Sequence, residues 1–443
     1  MRLRRRFPAG PVPATVPATV LAAALAAAVV GGVPALASAT TEVEGVDCGQ
    51  VSATSGPYNT DAPSLPLALM GVDEAHALLA DGPGLPGAGQ KVAVVDSGIH
   101  SGSGLLDVQQ GLGASQGDPS YFHGTAVAGL VAGKPRDGRA TGVAPGATVV
   151  DVRVYGDDPD GSVPGSAPEV DPARVVEGLR WVAARARSEG IGVAIVALRL
   201  DHSPALRDAV RAVQRQDVVV VAASGNRPQS EDDPLAPAYA DGPTPDEDAA
   251  DDVFPAGYDG VVAVSATAAG DPRVDEGADA SGSVLLSSAV DVAAPTYGAV
   301  SLGVNGSTCV LRDVATSWAA AEVAGLVALL RARYDDESAE QVVARLVRTA
   351  SGSPDDTNLL TGAGTVQPVE ALTRPLTPDR TGRLGVAPVR PRDIPAAEAP
   401  PRVVDPAAAA REDALWWGLL AGGVLLLGLV GRPLLERRGL AQK

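Results

Sequence analysis

The fold of this chain is decided by three short segments, residues 94–98 (VVDSG), 123–129 (HGTAVAG) and 315–325 (ATSWAAAEVAG). They place a carboxylate at Asp96, an imidazole at His123 and a hydroxyl at Ser317. Serine is a poor nucleophile unless a histidine takes its proton and an aspartate orients that histidine. Each segment alone is typical of a turn, a helix start or a helix cap. Together they predict a catalytic triad.

Short apolar runs alternate with helical patterns through the middle of the chain. The run that ends at Asp96 (KVAVVD) has the length and the β-branched residues of a buried strand. Further strands are predicted at residues 147–155, 193–200, 217–223, 261–266 and 290–294, and helices at 67–79, 123–133, from 171 onward, 205–214 and 314–333. This alternation indicates an α/β fold with a mainly parallel sheet between helices.

The first 39 residues have the pattern of a secretory signal peptide. A basic start (MRLRRR) precedes an apolar run near residues 20–30 and a small-x-small site, ASA, at residues 37–39. An uncleaved membrane anchor is the alternative interpretation. Residues 40–66 are polar and aperiodic, which predicts an extended arm.

A second apolar segment, residues 414–431, carries no charge and has nearly the length that crosses a bilayer. Trp416 and Trp417 stand at its upstream edge, and the tail at residues 432–443 is basic. The positive-inside rule therefore places this tail in the cytoplasm. A buried core helix is the alternative, and it is weak because little chain remains to cover it. Residues 374–413 are rich in Pro and Ala and predict a semi-rigid linker.

The composition of this protein of 443 residues limits the classes of partner that it is expected to bind. A net charge of −18 argues against nucleic acid, because phosphate binding needs clustered Lys and Arg. The acidic residues 230–252 predict a solvated loop rather than a calcium site, since no ligand-loop pattern is present. No metal site and no cofactor are expected.

The two cysteines, Cys48 and Cys309, are the only thiols of the chain. In an oxidising compartment they could pair and hold the arm against the segment that precedes Ser317. Two independent thiols are the alternative.

The chain resembles the subtilisin-like serine proteases over residues 67–373. The order Asp, His, Ser is typical of that fold, and four further motifs support the resemblance: residues 142–146 (GVAPG), 218–226 (VVVVAASGN), 254–258 (FPAGY) and 290–295 (VDVAAP). The resemblance implies a three-layer fold and gives Asn226 the role of an oxyanion-hole donor beside the backbone N–H of Ser317. Within this class the chain is most similar to the mycosins, membrane-anchored proteases associated with type VII secretion.

Four residues depart from the family pattern, two in the serine loop and two on the strand of the substrate cleft. Ala315 and Ala321 stand where the serine loop usually has Gly and Pro, so Ala315 is expected to shift Ser317. Arg199 and Asp201 replace small residues on the strand beside which a peptide substrate normally adds. They are expected to narrow the cleft or to select an unusual substrate.

The sequence therefore predicts an extracytoplasmic, membrane-anchored serine endopeptidase that acts on protein or peptide substrates and works with the type VII secretion membrane complex. One alternative is an inactive pseudo-protease that serves as a structural component of the secretion machinery. Another is a receptor that binds peptides without cleaving them.

Overall fold

The computed structural model of the protein describes residues 44–113, 117–156, 168–271, 279–384 and 408–439. The predicted signal peptide (1–39) lies outside the described residues, as do the start of the arm (40–43), residues 385–407 of the linker and residues 440–443 of the tail. The chain divides into two compact units, Met1–Gly385 and Val386–Lys443.

A parallel sheet of seven strands forms the centre of the first unit. The strands are β1 (Lys91–Asp96), β2 (Asp107–Gln110), β3 (Thr148–Arg153), β4 (Ile191–Val196), β5 (Val219–Ala223), β6 (Val261–Thr267) and β7 (Val292–Pro295). Their spatial order is β2-β3-β1-β4-β5-β6-β7, and every neighbouring pair is parallel. This arrangement confirms the predicted fold class.

Helices cover both faces of this sheet. They are α1 (Leu65–Leu69), α2 (Val72–Leu78), α3 (His123–Ala132), α4 (Pro172–Glu189), α5 (Pro204–Gln214), α6 (Ala236–Tyr239), α7 (Thr316–Arg333), α8 (Ala339–Arg348) and α9 (Pro368–Thr373). Helices α3 and α7 pack into one core, and α4 and α5 pack into the other. The unit therefore has three layers.

Strand β1 shows how the sequence builds two cores at once. Val92 and Val94 belong to the core of α3 and α7, whereas Ala93 and Val95 belong to the core of α4 and α5. Successive side chains of a strand point to opposite faces, so a strand between two helical layers must be apolar throughout.

Several elements differ from the sequence-based expectation. The helix expected at residues 67–79 is two helices, because Gly71 adopts a left-handed conformation (φ +67°) between them. Strand β2, helix α8 and an antiparallel hairpin, β8 (Ala299–Leu302) with β9 (Thr308–Leu311), were not predicted. Strand β2 and the two hairpin strands have only four residues each, too few to show a clear period. Helix α8 does carry sequence signals, a capping box of Ser338 with Gln341 and apolar residues at helical spacing, which the sequence-based prediction did not use.

The described part of the arm lies along strand β9. The backbone N–H of Val310 donates to the carbonyl of Val46 at 2.9 Å, and that of Thr308 donates to the Asn59 side chain at 3.2 Å. Cys48 and Cys309 form a disulfide, with their Cα atoms 5.0 Å apart. The bond joins positions separated by 261 residues in the sequence and ties the arm to the strand that leads toward Ser317.

Residues 374–384, at the start of the predicted linker, lie against helix α8. Arg345 donates to the carbonyl of Arg374 at 3.0 Å, and Gln341 donates to the carbonyl of Pro378 at 2.7 Å. Arg345 also pairs with Glu337 and is almost completely buried. Hydrogen bonds therefore hold this stretch to the first unit.

The second unit contains helix α10 (Ala408–Gly439), which extends beyond the predicted span of 414–431 at both ends. Its segment Asp413–Val430 has a mean hydropathy of 1.8 and is fully exposed. The helix is long and apolar enough to cross a membrane.

Candidate active site

Asp96 ends strand β1, at the sheet edge where open parallel sheets carry their sites. Its side chain is 1% exposed, so its carboxylate needs hydrogen-bond donors in place of water. Oxygen Oδ1 accepts from the backbone N–H of Ser97 at 2.7 Å and from the Tyr155 hydroxyl at 3.1 Å. It also accepts from Nδ1 of His123 at 2.9 Å. The carboxylate is thus held by donors from three parts of the chain.

His123 is the first residue of helix α3, and Gly124 brings it close to Asp96. A Cβ atom on Gly124 would lie 2.6 Å from the carbonyl oxygen of Gly98, so only glycine allows this approach. Because a carboxylate can only accept, the proton of the neutral imidazole is on Nδ1. Nitrogen Nε2 is therefore left as the acceptor that a base needs.

Aromatic rings enclose the imidazole of His123. The Trp318 ring centre lies 4.9 Å away, and the Tyr121 ring is nearly parallel to the imidazole at 6.3 Å and 9°. Burial and the nearby Asp96 charge raise the pKa of Tyr121 above its usual range. Together these rings restrict how far the imidazole can turn.

Ser317 is the second residue of the long helix α7, next to Trp318. The positive end of the helix dipole there favours negative charge. Its hydroxyl donates to the carbonyl of Ala197 at 3.1 Å, just beyond the end of β4. Within the described residues, Ser317 and His123 share no hydrogen bond. Since β4 is the neighbour of β1, Ser317 lies at the same sheet edge as Asp96.

Asn226 follows β5, and its amide is oriented by Thr316. The amide oxygen accepts from the Thr316 backbone N–H at 2.8 Å and from its hydroxyl at 3.0 Å. An N–H group only donates, so the atom facing it must be the oxygen and not the nitrogen. The NH₂ group of the exposed Asn226 has no partner among the described residues, so it can donate to an anion.

Ala315 stands directly before α7, in an extended conformation with φ −140° and ψ 136°. Any L-residue adopts this conformation, so the backbone angles do not require glycine there. Ala321 is completely buried in the core of α3 and α7.

Arg199 and Asp201 lie on the segment that follows β4. The Arg199 guanidinium pairs with Asp233 at 3.1 Å, and both side chains are 30% exposed. Asp201 is exposed. The ion pair connects the expected substrate strand to the acidic segment at residues 230–252.

A buried ion pair, which the sequence did not predict, organises this acidic segment. Arg227, the neighbour of Asn226, pairs with Glu247 at 2.8 Å, and their side chains are only 3% and 2% exposed. Arg227 also donates to the carbonyl of Tyr239 at 2.7 Å. Charge alone could not identify Glu247 as the partner, since many carboxylates follow Arg227 in the sequence.

Glu322 is a buried carboxyl group that the sequence did not reveal. It lies in α7 with 1% exposure, and neither carboxylate oxygen has a hydrogen-bond partner among the described residues. Burial raises the pKa of Glu322 well above its usual range. No group of His, Cys, Asp or Glu within the described ranges is arranged to hold a metal ion.

A parallel sheet between helices, with an aspartate, a histidine and a serine at one edge in that chain order, is typical of the subtilisin class of proteins. The model of the subtilase family (Peptidase S8) matches residues 87–366, and the chain belongs to this family.

Two relatives and one solved structure illustrate the similarity. Mycosin-3 of Mycobacterium tuberculosis (strain ATCC 25618 / H37Rv) is 31% identical over 71% of this chain and 73% of that protein. Mycosin-1 of the same strain is 31% identical over 83% of this chain and 84% of that protein. The structure of the MycP3 protease from the type VII (ESX-3) secretion system is 28% identical, has a TM-score of 0.55 and covers 76% of this chain and 93% of that chain.

Replacing Glu322 tests how its unpartnered carboxyl group affects the free energy of unfolding. The folded chain keeps this proton at pH values where the unfolded chain has lost it. The free energy of unfolding therefore falls by about 1.4 kcal/mol per pH unit as the pH rises above the ordinary glutamate value. We expect Glu322→Leu to remove this contribution and to stabilise the protein more at pH 8 than at pH 5.

Urea unfolding of the detergent-solubilised chain at several pH values measures the effect. Asp151 and Asp291, whose pKa values burial raises to about 6, contribute equally in both proteins and cancel in the difference. The exposed Glu340 supplies the control Glu340→Leu, for which no such change is expected. An unchanged pH dependence in Glu322→Leu would contradict the prediction.

Proposed function

We propose that this protein is a serine endopeptidase of the subtilisin type, anchored in the membrane and acting outside the cytoplasm. The observation that carries the proposal is the hydrogen bond between His123 Nδ1 and the buried Asp96, 2.9 Å long, at the sheet edge that also carries Ser317. This bond fixes the imidazole tautomer that a serine nucleophile needs.

In the proposed reaction, the Ser317 hydroxyl turns from Ala197 toward Nε2 of His123. Nε2 takes the hydroxyl proton as Oγ attacks the carbonyl carbon of the scissile peptide bond. Asp96 stabilises the imidazolium, which then gives its proton to the leaving amine. Water releases the acyl group from Ser317 by the same steps, with His123 again as base and then as acid.

Negative charge develops on the substrate carbonyl oxygen during this attack. The NH₂ group of Asn226 and the backbone N–H of Ser317 are the proposed donors to it. Thr316 fixes the orientation of the Asn226 NH₂ group, because its backbone N–H and its hydroxyl both donate to the oxygen of the same amide. A donor fixed in advance stabilises the transition state without reorganising.

The proposed substrate is an extended segment of protein that adds beside residues 197–201. Main-chain hydrogen bonds favour such addition at an open strand. Arg199 places a positive charge on this segment, and its pairing with Asp233 keeps the side chain directed toward the acidic segment.

Helix α10 is the proposed membrane anchor. Trp416 and Trp417 begin its apolar stretch, and Arg432, Arg437 and Arg438 follow it, so the tail is assigned to the cytoplasm and the peptidase unit to the opposite side. The likeness to mycosins and to a protease of the ESX-3 system supports an association with type VII secretion.

Loss of the nucleophile tests the proposed activity. Ser317→Ala is expected to lower kcat on a fluorogenic peptide library by a factor on the order of 10⁶, the size found for loss of the serine in a subtilisin. Ser265→Ala is the matched control, since Ser265 is fully buried in β6 and its hydroxyl lacks a partner among the described residues. Equal hydrolysis by the parent and Ser317→Ala would overturn the proposal.

Loss of the oxyanion donor gives a distinct kinetic signature. Asn226→Ala is expected to lower kcat by about 10²–10³-fold with KM little changed, as for the corresponding donor of a subtilisin. Asn226→Asp keeps the acceptor for Thr316 but removes the donor, and the same loss of kcat is expected. A normal kcat in both variants would exclude Asn226 from the oxyanion hole.

A structural role in the secretion machinery, without turnover, is the second candidate function. The bond of the Ser317 hydroxyl to Ala197 rather than to His123 favours it. Complementation of a deletion strain separates the two functions. Full secretion with Ser317→Ala, together with loss of secretion on deletion, would support the structural role, whereas failure of Ser317→Ala would support the enzyme.

A further inference from the structure

Tyr155 is a buried residue beside Asp96. The proposed reaction assigns no role to it. It follows strand β3, whose last residue, Arg153, is the register partner of Asp96. The backbone N–H of Val154 donates to the Asp96 carbonyl at 2.9 Å. This pairing places the Tyr155 ring next to the carboxylate, with 8% of the residue exposed and its hydroxyl 3.1 Å from Oδ1.

The Tyr155 hydroxyl shares Oδ1 of Asp96 with His123. Each donor to a carboxylate oxygen takes part of its negative charge and weakens the bonds that the others make. Resting on the function proposed above, we propose that Tyr155 is a positioning residue: its bond to Asp96 fixes the carboxylate and sets how strongly Asp96 holds the protonated His123.

Tyr155 is suited to this task because it stays neutral. Burial and the charge of Asp96 raise the pKa of Tyr155 well above its usual range, so its hydroxyl remains a donor across the working pH. A buried tyrosine hydroxyl usually finds a partner, and a purely structural bond is the competing explanation.

Three other ionisable residues lie near Asp96. Asp151 is buried on β3, and the pKa of Asp151 is raised by burial to about 6. Its oxygen Oδ2 accepts from the backbone of Ile99, in the turn after Asp96, at 3.3 Å. Arg153 lies on the same strand, with Nη1 bonded to the Gly117 carbonyl at 3.0 Å. Tyr121, beside the imidazole, has no hydrogen bond from its hydroxyl to Asp96 within the described residues, which makes it a matched control.

The experiment replaces Tyr155 by Phe in the full-length chain in detergent. His123 is followed by NMR after labelling histidine Cε1 with ¹³C, and its signal is assigned by its loss in His123→Gln. Four histidines make the spectrum tractable. Without the Tyr155 donor, Asp96 holds the imidazolium more strongly, so the midpoint of the His123 titration is expected to rise.

Two further variants are compared with Tyr155→Phe. Tyr121→Phe removes a neighbouring phenol hydroxyl that does not bond to Asp96, and its titration midpoint is expected to match the parent. Tyr155→Leu removes the same donor with a different apolar side chain, and its midpoint is expected to rise as in Tyr155→Phe. An unchanged midpoint in the Tyr155 variants would overturn the inference, even if the variants were less stable, because that pattern indicates a structural bond only.

This titration does not depend on turnover. A parent protein that cleaves nothing, but whose Tyr155→Phe variant shows the shift, would overturn the proposed function and support the positioning role. In an active parent, the acid limb of the kcat/KM profile is expected to move upward by the same amount.

Discussion

Asp96 is 1% exposed at the end of a central strand, and a carboxylate in that position is stable only when hydrogen-bond donors replace the lost water. The donors come from the turn after β1, the start of α3 and the end of β3. The hydrogen bonds that stabilise the buried Asp96 carboxylate therefore also fix the imidazole tautomer of His123 and the position of the Tyr155 ring. The geometry of the candidate site follows from the same requirement that makes the sheet edge stable.

A second set of contacts positions the serine. Thr316 links the start of α7 to Asn226 and, through its hydroxyl, to the backbone N–H of Gly225 at 3.2 Å. Strand β9 precedes this helix by a few residues and is held by the disulfide from Cys309 to the arm. Ser317, Asn226 and the arm are consequently parts of one connected region of the first unit.

Local patterns account for what the sequence could predict. Runs such as KVAVVD have the length and the β-branched residues that predict a strand. The residues flanking Asp96, His123 and Ser317 identify the family. Tyr155, Arg227 and Glu322 carry no such signal, because their roles depend on partners or burial set by distant parts of the chain. The extended conformation of Ala315 and the pairing of Arg199 with Asp233 also required coordinates.

The proposed catalysis requires that Ser317 is a nucleophile and that His123 activates it. The most direct measurement is covalent labelling of the full-length chain with a fluorophosphonate, followed by mass spectrometry of the modified peptide. One adduct is expected, on Ser317, with a labelling rate that falls as the pH is lowered from 8 to 5, as for any reaction that needs a histidine base. No adduct on Ser317, or labelling that persists in Ser317→Ala, would contradict the proposed catalysis.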